Sequence, residues 1–179
     1  MSKAAYDLAL THLGTKEKPG DASNPVVDQF YIDAAGVKHD DSVPWCAAFM
    51  GAMLVRTGGK STGKLTARSY LDWGEPIARE DAREGDIVIF RRGKSEWQGH
   101  VGFFVKDNGT TITVLGGNQS DAVTRQSYAA SALLGVRRAK EEPIKTPAEF
   151  LPKLATPAPE KESGWLVAAR ALLGWLTRK

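Results

Sequence analysis

The chain has 179 residues, of which 42% are apolar and 25% charged, close to the average for globular domains. That length suits one domain of ordinary size with an appendage, and the composition excludes a chain disordered throughout, a coiled coil or a collagen-like repeat. No apolar run approaches the roughly 20 residues of a membrane-crossing helix, and the formal charge is only +3.

The first helix is predicted over residues 3–13, with Ser2 able to cap its start and Gly14 to end it. Its acid at Asp7 falls where a secretory leader needs apolar residues, so the chain is expected to be made in the cytoplasm without a signal peptide. Thr15 to Pro25 reads as a loop. Val26, Val27, Phe30, Tyr31 and Ala34 then recur at helical spacing and predict a second helix over 26–35, stopped by Gly36. A third helix is predicted over 44–57. Ser42 serves as its N-cap, Pro44 suits its first turn, and Gly58-Gly59 ends it.

After Gly85 the pattern changes to strands. Asp86 to Arg91 is short and β-branched, and His100 to Lys106 forms a second strand after the connection Arg92–Gly99. Asp107-Asn108-Gly109 is a hairpin signal, with the returning strand at 110–115 and a break at Gly116-Gly117-Asn118-Gln119. Leu133 to Arg138 supplies a fourth strand. Helices followed by a strand meander predict an α+β domain, its N-terminal helices packed on an antiparallel sheet.

The final 39 residues differ. Five of nine prolines lie between Glu141 and Gly164, which reads as a linker over 141–163. Residues 164–179 place Trp165, Ala169, Leu172 and Leu176 on one helical face, with Arg170 and Arg178 opposite. Such a basic amphipathic helix suits an anionic membrane surface or a docking site on protein. Charge is also segregated: residues 1–142 hold 18 basic and 18 acidic side chains, residues 143–179 six and three. A neutral main domain lacks the clustered cations of a nucleic-acid-binding face.

Cys46 is the only cysteine, so no internal disulfide exists, and three scattered histidines do not build a structural zinc site. Placed in the first turn of a helix, Cys46 meets unpaired N–H groups and the positive dipole end, which favour a thiolate and an oxyanion hole. A thiolate needs an imidazole partner. His100 opens a strand at a glycine-flanked edge, whereas His12 and His39 lie in a terminal helix and a loop. A third polar group should hold the imidazole in one tautomer. A two-residue hairpin loop puts Gln119 on the face of His100; a three-residue loop puts Asn118 there, and a bulge at Gly116-Gly117 alters either answer.

Four blocks, Pro44-Trp45-Cys46-Ala47-Ala48-Phe49, Gly85 to Phe90, Gly99-His100-Val101-Gly102-Phe103 and Leu115 to Gln119, together resemble papain-like peptidoglycan hydrolases of the CHAP and NlpC-type group, especially phage-endolysin-like members. The resemblance spans about residues 3–140. It implies a papain-like cysteine peptidase or amidase over 1–140, with Cys46 as nucleophile, His100 as base and Asn118 as the orienting residue. Many CHAP members carry a Glu near that last place, where this chain has Gly116. The implied activity is cleavage of an amide bond in the bacterial stem peptide, in host-cell lysis and after release to the cell wall, with peptidoglycan as partner and neither cofactor nor metal required. The rivals are a non-catalytic wall- or membrane-binding protein on the same scaffold and a secreted antibacterial amidase toxin.

Among further candidates, Trp45 and Trp97 are read as walls of a sugar- or peptide-binding groove, and Asp41 as a partner for a stem-peptide amine, with Gln119 nearby. Gly58-Gly59-Lys60-Ser61 is not a phosphate loop, because the earlier glycine that motif needs is Leu54.

Overall fold

The computed structural model describes residues 2–20 and 22–140, so the expected linker and terminal helix of 141–179 fall outside the described residues. Three helices come first: α1 (Ser2–Thr11), α2 (Pro25–Ala35) and α3 (Cys46–Arg56). Asn24 caps α2, its side chain accepting from Val26 N at 3.0 Å, with Pro25 in the first turn. The start of α3 differs from expectation. Trp45, not Ser42, is its N-cap and offers no side-chain cap. Ser42 instead bonds the Asp40 carboxylate through both its N–H and its hydroxyl. At the other end Gly58 takes a left-handed φ of 79°, and Gly59 N reaches Leu54 O at 2.8 Å while Gly58 N reaches Val55 O at 3.0 Å. This is the paired closure that spares the last carbonyls of a helix.

Six strands follow: β1 (Glu75–Ile77), β2 (Ile87–Arg91), β3 (Gly99–Asp107), β4 (Thr111–Gly116), β5 (Thr124–Ala129) and β6 (Leu133–Arg138). All pairings are antiparallel, in the order β1-β6-β2-β3-β4-β5. The α+β class and the helices-on-sheet layering therefore stand. Two strands escape the sequence pattern. Both lie at the sheet edges, β1 with Pro76 where an unpaired side tolerates a missing N–H, and β5 with a polar run.

The main core lies between the helices and one sheet face. Ile87, Ile89, Val101, Phe103 and Leu115 pack there against Trp45, Phe49, Met53 and the α1–α2 side chains. A smaller cluster around Val88, Phe90, Phe104 and Val114 fills the other face. Asp86 is buried and takes a two-point contact from Arg138, Nε at 2.8 Å and Nη2 at 2.7 Å, which pins the end of β6 to the start of β2.

The β3–β4 register is neither of the two expected. The turn closes with Asn108 N on Thr111 O at 2.8 Å, so Asp107 faces Ile112. A bulge between Phe104 and Lys106 then shifts the pairing, and Phe103 faces Leu115. Beyond Gly116 the chain leaves the strand through three non-glycine residues with positive φ: Asn118 (56°), Ser120 (52°) and Asp121 (59°). Such conformations persist only where surrounding bonds enforce them. Here Gln119 N bonds Ala122 O at 2.9 Å, Glu17 N bonds Asp121 O at 2.9 Å, and Val123 N bonds Thr15 O at 2.8 Å. The loop after α1 thus clamps residues 118–123.

Candidate active site

Cys46 is the first residue of α3, and Phe49 N closes the first helical bond on Trp45 O at 2.8 Å. The N–H groups of Cys46 and Ala47 are left without helical partners by this placement. Burial of the sulfur raises the thiol pKa and is the largest influence on it. Against this act the nearby backbone N–H of Val101, the Arg92 charge, and the N–H groups of Ala47 and Cys46 itself. Val101 directly follows His100, so the nucleophile candidate lies against the backbone that carries the base candidate.

Cys46 is 7% exposed and lines a cleft of about 290 Å³. Val43, Pro44, Leu65 and Ala67 give this cleft apolar walls; Arg92 and Trp97 come from the β2–β3 connection. Arg68 braces that connection, donating through Nε to Gln98 O at 2.9 Å and through Nη2 to Ser95 O at 2.7 Å.

His100 is 2% exposed and stacks on Tyr128, with ring centroids 4.7 Å apart and planes 20° from parallel. Its Nε2 lies 3.0 Å from Gln119 Oε1. The amide nitrogen of Gln119 donates to Thr124 O at 2.6 Å and to Thr124 Oγ1 at 3.2 Å. A backbone carbonyl only accepts, so the amide nitrogen must face Thr124 and the oxygen must face the imidazole. A neutral ring then carries its proton on Nε2 and leaves the lone pair on Nδ1. Nδ1 is buried and has no hydrogen-bond partner among the described residues, which marks it as the ring's open nitrogen. Burial lowers the His100 pKa to about 4; the Gln119 bond opposes that shift and the Arg92 charge adds to it. At neutral pH, thiol and imidazole are therefore both uncharged.

The two residues left open by strand geometry have separate places. Gln119 holds His100, and Asn118 does not touch it. With its oxygen turned to the Trp45 N–H groups, Asn118 accepts from Trp45 N at 3.0 Å and from Trp45 Nε1 at 3.2 Å. The orienting position expected of Asn118 is thus filled by its neighbour, because the positive φ at 118 swings the next side chain toward β3. Gly116 and Gly117 permit the approach. A Cβ on Gly116 would lie 3.0 Å from Gln119 Oε1 and 3.2 Å from His100 Nε2, and one on Gly117 would lie 2.5 Å from the Trp45 ring.

Of the expected substrate-binding residues, only Trp97 reaches the cleft, and it is 72% exposed. Trp45 is fully buried, stacked on Phe30, and its indole N–H donates to Glu17 Oε1 at 2.5 Å. It is a core residue rather than a groove wall. Asp41 is likewise buried, accepting from Lys18 N and Asn24 N at 2.8 Å each, so its carboxylate staples the loop before α2. Gln119, read as substrate-binding, faces the imidazole instead. Arg92 and Thr124 were not legible as site residues: each is an ordinary polar residue at a strand end until the register is known. Among the described residues no group of three or more His, Cys, Asp or Glu is placed to hold a metal ion.

Comparison with known proteins agrees with this architecture. Residues 38–118 match the CHAP domain family, a span that contains Cys46 and His100 and stops one residue before Gln119. No curated protein matches the chain. Among solved structures, an NLP/P60-family lipoprotein-like protein from Staphylococcus aureus is 16% identical with a TM-score of 0.50, covering 79% of this chain and 42% of that one. The peptidoglycan hydrolase RipB from Mycobacterium tuberculosis is 12% identical with a TM-score of 0.49, covering 79% of this chain and 65% of that one. RipD from the same organism, a non-catalytic NlpC/p60 domain protein, is 13% identical with a TM-score of 0.47 over 76% and 95%. The CHAP match thus covers 81 of the 179 residues, and the likeness to the Staphylococcus aureus protein is one of fold.

Proposed function

We propose that this domain is a cysteine amidase or peptidase that hydrolyses an amide bond of peptidoglycan stem peptides. The observation that supports the reading most is the fixed tautomer of His100. Gln119 and Thr124 together commit the ring proton to Nε2, leaving a buried basic nitrogen on the residue whose neighbour, Val101, is among the groups that oppose the burial shift of the Cys46 thiol.

In this mechanism the pair rests as neutral thiol and imidazole. As Cys46 Sγ attacks the amide carbonyl, its proton passes to His100 Nδ1, and the C–S bond forms as the carbonyl π-bond breaks to an oxyanion. The unpaired N–H groups at the start of α3 face that charge. The imidazolium returns its proton to the leaving nitrogen, the C–N bond breaks, and a thioester remains. Water then attacks the thioester, giving a proton to Nδ1; the carboxylic acid leaves and Cys46 is reprotonated. Gln119 stabilises the transient imidazolium and holds the ring plane throughout.

The test is turbidity loss of purified peptidoglycan. Cys46→Ala and His100→Ala are each expected to abolish it while circular dichroism stays that of the parent. Substantial hydrolysis by Cys46→Ala refutes the mechanism. A parent chain that binds peptidoglycan without releasing fragments identifies a binding module instead.

A further inference from the structure

The edge strand β5 reaches His100 twice. Thr124, at its start, fixes the amide of Gln119, which in turn holds Nε2. Tyr128 lies an even number of positions further on, and so on the same face of the strand. Its ring stacks on His100, with centroids 4.7 Å apart and planes 20° from parallel, and on Phe90 at 5.1 Å and 27°. Phe90 and His100 are register partners across β2 and β3, so one phenol ring covers a cross-strand pair. Phe90 is fully buried in the smaller core cluster, and Tyr128 packs against that cluster while half-buried. The second core therefore ends on the face of the imidazole.

The two supports act in different directions. A single hydrogen bond tolerates rocking of the ring about it; a parallel aromatic face at this separation does not. Such a face also favours a cation laid over it, and the ring becomes an imidazolium in each half of the proposed cycle. The phenol supplies this without a charge of its own, because burial pushes its pKa up to about 12. Both Arg92 and Cys46 act electrostatically on it, so it lies within the field of the site. Tyr128 is not one of the described residues lining the cleft beside Cys46, so a substrate held there does not touch it.

We propose that Tyr128 is a positioning residue for His100, its ring face fixing the plane of the imidazole, shielding it from water and steadying its cation. The inference rests on His100 being the base, as the proposed hydrolase requires.

Two readouts separate this role from support of the fold. In Cys46→Ala, nuclear magnetic resonance follows protonation of the His100 ring without any turnover. Among the described residues, the charged and titratable groups acting on that ring or its cover are Arg92 of the β2–β3 connection, Tyr128 of β5 and Cys46 of α3. Tyr128→Ala opens one ring face to water and should move the midpoint from about 4 toward the ordinary value of about 6.5. Tyr128→Phe keeps the face and should leave the midpoint in place. With Cys46 intact and a soluble stem peptide as substrate, Tyr128→Phe should keep kcat within about twofold. Tyr128→Leu covers the ring without a π face and should lower kcat about tenfold at unchanged KM; it decides the matter if Tyr128→Ala does not fold. An unmoved midpoint in folded Tyr128→Ala overturns the proposal. So does a loss confined to KM in Tyr128→Leu, or one as large in Tyr128→Phe. A midpoint that moves in Tyr128→Ala but not in Tyr128→Phe, in a chain that hydrolyses nothing, removes the proposed hydrolase and leaves the shielding by Tyr128 standing.

Discussion

Replacing Gln119 by leucine removes the acceptor from His100 Nε2–H and both donors to Thr124 while leaving volume nearly unchanged. The bond lost is 3.0 Å long and lies in a site where both partners are buried, so no water stands ready to replace it. A hydrogen bond of this kind is worth about 1–3 kcal/mol when its partner is left unsatisfied. The ring escapes that penalty by moving its proton to Nδ1 or by turning, and both remove the base from Cys46. At 1.36 kcal/mol per factor of ten, kcat/KM should fall about ten- to hundredfold. The pH profile carries a second signature. The Gln119 bond raises the His100 pKa, so its loss moves the acid limb to lower pH: the variant is slower yet keeps its activity further into acid. Asn118→Gly is the matched control, since glycine accepts the φ of 56° and only the bonds to Trp45 are lost. It should lower the melting temperature and spare most of kcat/KM. A loss below about threefold in Gln119→Leu, or a larger loss in Asn118→Gly, refutes the assignment.

The acid limb of the parent should lie near pH 4, with full activity from about pH 5 upward, because His100 works as a base only when deprotonated and burial holds its pKa at about 4. A midpoint at the ordinary histidine value of about 6.5 would show the ring to be solvated in the working enzyme. Linkage fixes the sign for stability as well. The unfolded chain binds this proton more tightly than the folded one, so stability rises with pH from about 4 to about 6.5 and is lost on acidification, by about 3 kcal/mol from this group; urea melts at pH 4 and 7 measure it. Gly116→Ala sets a methyl 3.0 Å from Gln119 Oε1 and 3.2 Å from His100 Nε2, and should cost at least about tenfold in kcat/KM. Its melting temperature should drop less than that of Gly117→Ala, whose Cβ meets the Trp45 ring at 2.5 Å and overpacks the core by about 1–3 kcal/mol.

The legible parts of this fold are those that local periodicity encodes. Val27, Phe30, Tyr31 and Ala34 are buried as their helical spacing requires, and β6 spans Leu133–Arg138, the residues its pattern indicates. β5 was silent because Thr-Arg-Gln-Ser-Tyr-Ala at a sheet edge buries too little to alternate. The start of α3 was misplaced by three residues' worth of capping chemistry. Ser42 offers a good cap, but Asp40 competes for its hydroxyl and the helix begins at Cys46 without one. The β3–β4 register depended on a bulge near Val105, and the approach of Gln119 on three positive-φ residues. The second is decided by the loop after α1, over a hundred residues away in sequence, and no local pattern encodes such a contact.

Asn118 and Gln119 point in opposite directions, and their adjacency has a mechanical consequence. Through Asn118 the end of β4 holds the Trp45 backbone N at 3.0 Å, one residue before Cys46. Through Gln119 it holds His100 Nε2 at 3.0 Å. A single dipeptide therefore bonds both the residue before Cys46 and the imidazole of His100, although Cys46 and His100 are 54 positions apart in sequence. Glu17 completes the frame, bonding the Trp45 indole through its side chain and Asp121 through its backbone. Proton transfer tolerates errors of only fractions of an ångström. Under the proposed mechanism, a tether of two neighbouring amides answers that demand without a charged third residue on the imidazole.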